Sequence, residues 1–340
     1  MHYNRGFVVI NSLLVMSIIL IFSSFLFYMA NMEYLILGSS QDSVQVYYLA
    51  ESKIYTVLNM EYYHDLLSLR IEEFLKTGIF DTRPIDIRTQ DLLMEDGNRK
   101  VDLAFDIEDD RRILKLTTFS EYNGIRHNLM SKLYILNDFY ELGIPMVSEY
   151  NVPGDRLKDY NDYMDALQEQ IRVPFDARYT IGIDGSDYDR INIVVEANGD
   201  AYAEYFRDDI EIPKKREYIG AKNENDRIFL VAKPDNLRSK TICIVADEGV
   251  DRAVLKGTLY IEGDIWILGN VDIEGILIID NGSIIVDPSM EFHCNGLMLT
   301  RNFSFEGDNI AINYDAKKIK RCGVHIPGFI DLRMKLIKRK

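Results

Sequence analysis

Cysteine is scarce in this sequence. Cys243, Cys294 and Cys322 stand far apart, and none belongs to a C-x-x-C pair. That spacing argues against a structural zinc site. One disulfide is possible and would leave one thiol over; its pairing cannot be read from spacing. A chain of 340 residues has no need of a disulfide framework, because it can bury a core of its own. Net positive charge is also lacking: 54 Asp and Glu face 39 Lys and Arg, a formal charge of -15. A general nucleic-acid binder needs a cationic surface to displace counterions, so no nucleic-acid partner is expected. Catalytic signatures are missing too, with no G-x-S-x-G, H-E-x-x-H or Walker loop. His2, His64, His127, His293 and His325 are scattered without ligand spacing. Carboxylate clusters (Asp106, Glu108, Asp109 and Asp110; Asp208 and Asp209) read as solvated turns of an acidic protein. The expectation is therefore a protein that is not an enzyme. A membrane-tethered glycan hydrolase would need two opposed carboxylates in a long groove.

What the sequence does have is one long apolar run. Phe7 to Met32 contains no charged side chain. Its core, Phe7 to Ala30, makes a helix of roughly 36 Å at 1.5 Å per residue, enough to cross a hydrocarbon layer of roughly 30 Å with some tilt. Only six residues precede it, with His2 and Arg5 among them, and the next twenty carry only Glu33 and Asp42. The positive-inside rule places Met1 in the cytoplasm and the body outside. The run is too long for an ordinary secretory signal, and no Ala-x-Ala site follows it.

A short leader ending in Arg5-Gly6, followed by Phe7 and a long apolar helix, resembles the class III signal of type IV pilins and type II secretion pseudopilins. The resemblance implies cleavage after Gly6 by a prepilin peptidase and methylation of the new N-terminal Phe7. It also implies that Phe7, Asn11, Leu14, Ile18 and Phe22 serve membrane anchoring and helix packing in a filament. Asn11 departs from the pattern, since most pilins carry Glu five residues into the processed chain. That Glu pairs with a neighbouring N-terminal amine, and Asn cannot neutralise it. The change points to a PilX-type minor, initiating or tip subunit; the alternative is an Asn tolerated in a one-pass anchor. Ala50-Glu51-Ser52 and the Ser120-x-Tyr122-Asn123-Gly124 hairpin are similar to stretches of PilX-type minor pilins. The implied partners are a prepilin peptidase, other pilins and the cytoplasmic membrane. The implied location is a single-pass membrane protein with an extracytoplasmic body, extracellular in a pilus after assembly. The alternative function is an uncut surface protein that binds a ligand such as a glycan.

The fold class expected is α+β: a long transmembrane helix packed on an antiparallel sheet, then a Gly-punctuated β-rich region. The divisions are a leader at 1–6, the helix at 7–58, a pilin-like α/β sheet domain at 59–150, a second α/β region at 151–240, a solenoid-like domain at 241–330 and a basic tail at 331–340. One long helix is expected from about Phe7 to Leu58, either continuous or broken near Gly38-Ser39-Ser40. His64 to Lys76 reads as an amphipathic helix stopped by Gly78, and Lys158 to Arg172 as another before Pro174. Val101, Leu103, Phe105 and Ile107 alternate along one strand face. Ile113 to Glu121 and Ile125 to Ile135 flank Asn123-Gly124, a type I′ hairpin signal. From Leu255 to Ile279 every odd position is apolar or Gly, with Gly257, Gly263, Gly269 and Gly275 six residues apart. This suggests a short β-solenoid of three or four rungs; an antiparallel meander with bulges is the rival. Asp184, Asp187 and Asp189 form either a calcium site or an acidic surface turn. No other cofactor is expected. The tail (Arg333, Lys335, Lys338, Arg339 and Lys340) is either a solvated end or a contact for anionic lipid or wall polymer.

Overall fold

The structure, a computed structural model, describes residues 4–108, 111–175, 177–207, 211–220, 225–234 and 240–339. Met1 and His2 of the leader, the Asp109-Asp110 turn, the Asp208-Asp209 pair and Lys340 lie outside these. In chain order come α1 (Asn4–Asn59), α2 (Glu61–Thr77), β1 (Ile85–Asp86), β2 (Lys100–Glu108), β3 (Arg111–Tyr122), β4 (Ile125–Leu136) and β5 (Met146–Ser148). Then follow α3 (Leu157–Gln170), β6 (Thr180–Asp184), β7 (Arg190–Val195), β8 (Ala201–Phe206), β9 (Lys215–Tyr218), β10 (Arg227–Ala232) and β11 (Lys240–Ala246). The chain closes with β12 (Ala253–Leu268), β13 (Val271–Val286), β14 (Phe292–Glu306), β15 (Ile310–Tyr314), α4 (Ala316–Cys322) and β16 (Ile330–Arg339). This is an α+β protein whose long apolar N-terminal helix is followed by two sheets.

The first sheet is antiparallel, in the order β1-β2-β3-β4-β16. Asn123 and Gly124 both take positive φ, 49° and 77°, as a type I′ turn requires, and they join β3 to β4. Val101 and Leu103 face the core, and Phe105 stacks on Phe74 of α2 at 4.3 Å. Ile107 departs from its expected face: it is exposed, because the aromatic cover from Phe74 and Phe80 ends at Phe105. The basic end of the chain is no loose tail. It forms β16, antiparallel to β4. Arg333 clasps Asp138 with two hydrogen bonds of 2.7 Å, and Arg156 and Arg111 stand at 3.2 and 3.4 Å from the same carboxylate.

The second sheet is built differently. β12, β13 and β14 pair in parallel and in register, which excludes the meander. Only Gly269 and Asn270 connect β12 to β13, whereas flat parallel neighbours need a crossover of a dozen or more residues. The short link works because each strand bends round on itself, so that Ala253 meets Val271 and Val271 meets Phe292. β10 and β11 lie side by side under the two halves of β12, and β6 and β7 lie under them in turn. β15 continues the parallel pairing beyond β14. The six-residue glycine spacing is thus the spacing of bends within one circuit, and the circuits themselves stack Gly257 on Gly275 on Gly296. All three have φ near 150°, and a Cβ on Gly275 would overlap the carbonyl oxygen of Gly257.

Odd-numbered residues of the bends, such as Leu259, Ile261, Leu277 and Ile279, fill the interior of the stack. Tyr260, Ile276 and Ile278, with their register partners Leu297 and Leu299 on β14, are buried as well, on the outer face. They join a second core with Leu67 and Ile71 of α2, Tyr160 and Met164 of α3, and Leu116 and Leu133 of the antiparallel sheet. The run Ile276-Leu277-Ile278-Ile279 is continuously apolar because both of its faces are covered.

Two predictions follow from this packing. Gly275→Ala should cost about 2–5 kcal/mol through overlap with the adjacent circuit. Gly154→Ala, where the added methyl meets nothing within 4 Å, should stay within about 0.5 kcal/mol; chemical denaturation of the full chain in non-ionic detergent compares the two. The second concerns pH. Hydrogen bonds from Arg333, helped by the charges of Arg156 and Arg111, hold the Asp138 carboxyl below its ordinary range. The unfolded chain therefore takes up this proton first as pH falls. The clasp stabilises fully above about pH 4 and is lost as pH drops through the depressed value. Melting temperatures of wild type and Asp138→Asn should differ at neutral pH and converge below about pH 3.

Candidate membrane and assembly interface

α1 is one unbroken helix with two different surroundings. Gly38 does not break it, because no neighbour presses on that position and both flanks already carry helix, so no new nucleus is required. From Phe7 to Leu37 the side chains are exposed all round, and the apolar run has no part buried inside the protein. Among the described residues this is the one helix long and apolar enough to cross a membrane. The large apolar residues between Phe7 and Met29, at about 1.5–3 kcal/mol each, amount to an exposure penalty on the order of 30 kcal/mol. Transfer of this half of the helix into an apolar medium would remove that penalty.

The second half is seated on the body. Val46, Leu49, Ala50, Lys53, Ile54 and Val57 are buried, at the three- and four-residue steps of one helix face. They meet the face of the antiparallel sheet that carries Leu114, Leu116, Leu129 and Leu133. Lys53 is the chemical anomaly in this stripe, with 1 % of its side chain exposed. Its Nζ lies 2.6 Å from Asp96 and donates to the carbonyl oxygens of Phe119, at 2.8 Å, and Asn98. Burial pulls the ammonium below its ordinary range, and Asp96 opposes the shift. The arrangement ties α1, the 96–98 turn and β3 at one point.

Where the helix leaves the body it is ringed by polar contacts. Asp42 accepts from the Asn123 amide at 3.1 Å, so the hairpin tip touches the helix. Ser43 and Arg339 both reach Nε2 of His127, at 2.8 and 2.7 Å. β16 thereby contributes to the exit collar. Sequence reasoning found the long apolar helix and the packed stripe but missed Lys53, Asp96 and the Arg339 contact. Only the lysine left a trace, as the one charge within an otherwise apolar helical stripe.

Phe7, Asn11, Leu14, Ile18 and Phe22 all lie exposed in α1, at steps that put them on one side of the helix. The Gly6-Phe7 bond falls within the helix. Asp184, Asp187 and Asp189 are not drawn together as ligands. Asp184 instead accepts from the amide of Ser186 at 3.0 Å, a local turn, and no group of three or more His, Cys, Asp or Glu converges among the described residues. Cys243, Cys294 and Cys322 are free thiols. Burial pushes the last two up to about 12, which makes them poor nucleophiles. Comparison with known protein families, characterised proteins and solved structures finds no match to this chain.

Removing the Lys53 charge alone strands a buried carboxylate. Lys53→Met should cost about 3–5 kcal/mol, and pairing it with Asp96→Asn should recover a large part of that loss. Urea unfolding followed by circular dichroism measures both.

Proposed function

We propose that this protein is a pilin-like structural subunit, of the minor or tip-located kind, and not an enzyme. In this reading α1 enters the cytoplasmic membrane, a prepilin peptidase trims the chain after Gly6, and the exposed half of the helix packs among other pilin helices. The observation that carries the reading is the continuity of α1: one helix bare and apolar for its first half, buried against an antiparallel sheet for its second. An ordinary membrane anchor needs only the first half. A subunit built into a fibre needs the rigid continuation, so that the position of the body is set by the packing of the rods. The cation at Arg5, set against the acids at Glu33 and Asp42, supports an extracytoplasmic body. Asn11 favours a subunit present in few copies, because it cannot neutralise a neighbour's N-terminal amine. The parallel stack of β10 to β15 is read as a short β-solenoid that such a subunit displays at the surface. The in-register pairing of β12, β13 and β14 supports that reading.

Incubation of the full chain with a purified prepilin peptidase should give a product that starts at Phe7, seen by intact-mass measurement, and Gly6→Val should abolish the trimming. A chain left whole by the peptidase and found in membranes without pili would favour the surface-binding alternative. Release of the body by signal peptidase near residue 30 would overturn the subunit reading.

A further inference from the structure

In a chain with a formal charge of -15, one region reverses the balance. We propose that the cleft between α4 and the outer edge of the parallel stack binds a phosphate-bearing anion. The cleft has a volume of about 470 Å³ and is lined by Arg227, Lys256, Lys317, Lys318 and Arg321 against only Glu274 and Asp315. A smaller cavity adjoins it, sharing Arg227 and Arg321 and adding Lys76 and Arg178, with no acid in its wall. His325 lines this second cavity, and its Nε2 is buried without a hydrogen-bond partner among the described residues.

The fold explains the convergence. Register places Arg227 beside Lys256 and Lys256 beside Glu274, on successive circuits of the stack. α4 lies along this column, held by buried Ile319 and Cys322 and by a 2.8 Å hydrogen bond from Thr258 to the Cys322 carbonyl. Lys317 and Arg321 are four residues apart and so share one face of the helix. The two acids are already engaged. Glu274 pairs with Lys318 at 3.0 Å and with Lys256 at 3.7 Å, and Asp315 accepts from the backbone amides of Lys317 and Lys318 at 2.9 and 3.2 Å. Lys317 and Arg321 make no ion pair among the described residues, so a surplus of positive charge faces the cleft. Arginine suits phosphate because its planar fork donates two parallel hydrogen bonds. The volume falls within the roughly 300–1,000 Å³ of small-molecule sites, which fits a phosphorylated group larger than a bare ion.

Isothermal titration of the full chain in non-ionic detergent with inorganic phosphate and with tripolyphosphate tests this. Binding of either at about 1 mM, weakening as sodium chloride rises from roughly 50 to 200 mM, is the expected result. A clear preference for tripolyphosphate points to a polymeric source of the phosphate, and equal affinity to a small ester. The double variant Lys317→Glu with Arg321→Glu should lose at least about tenfold in affinity. Lys158→Glu, on an exposed face elsewhere, should lose none. Arg321→Gln provides the milder variant if the double reversal unfolds the protein. No binding of either anion by wild type, or unchanged affinity in the cleft variants at unchanged melting temperature, overturns the proposal.

Discussion

The structure is organised by one helix that is apolar and exposed on every face for its first half. The bare half of α1 presents apolar side chains on every face, and their exposure to water costs on the order of 30 kcal/mol relative to an apolar medium. Cover by lipid tails or by other apolar helices would remove that cost. Because the helix runs on without a break, whatever fixes the first half also fixes the orientation of everything packed on the second. The seat of that second half carries the mechanical link, and both sheets reach it. The antiparallel sheet contacts α1 directly, and the parallel stack shares a continuous core with the helices beneath it.

Charges buried at the joints give this body its register. Lys53 joins helix to sheet through a carboxylate and two carbonyl oxygens. A similar device joins α3 to the parallel stack. Asp280, fully buried, takes two hydrogen bonds from Arg301, and Arg301 also reaches Asp165 of α3. Glu262, beside Asp280 on the previous circuit, accepts from Gln168 of α3 and from Tyr260. Apolar contacts alone would tolerate sliding of a helix along a stack of near-identical circuits. A buried charge tolerates it poorly, since any shift leaves it desolvated and unpaired.

Local signals in the sequence were read where the physics is local. Asn123-Gly124 specified its hairpin because only residues tolerant of positive φ fit a type I′ turn. Gly78 stopped α2 in a left-handed conformation, at φ 78°. Alternation marked the strands of the stack. The misreadings came where a distant partner decides the outcome. Arg333 to Arg339 look like a soluble tail, and become a strand only because β4 offers an open edge and Asp138 and Glu108 supply countercharge. The buried even-numbered positions at Tyr260 and Ile278 contradict simple alternation, because α3 and the segment after α4 cover that face.

By itself the sequence determined the apolar rod, the antiparallel hairpin that follows it and the presence of glycine-punctuated strands, since each arises from the chemistry of neighbouring residues. Tertiary structure alone decided that Lys53 finds Asp96, that the C-terminal cations complete a sheet, and that the glycines mark bends of a circuit which returns residue 275 above residue 257. Those outcomes rest on contacts between residues tens or hundreds of positions apart, and no periodicity along the chain encodes which distant surface will arrive.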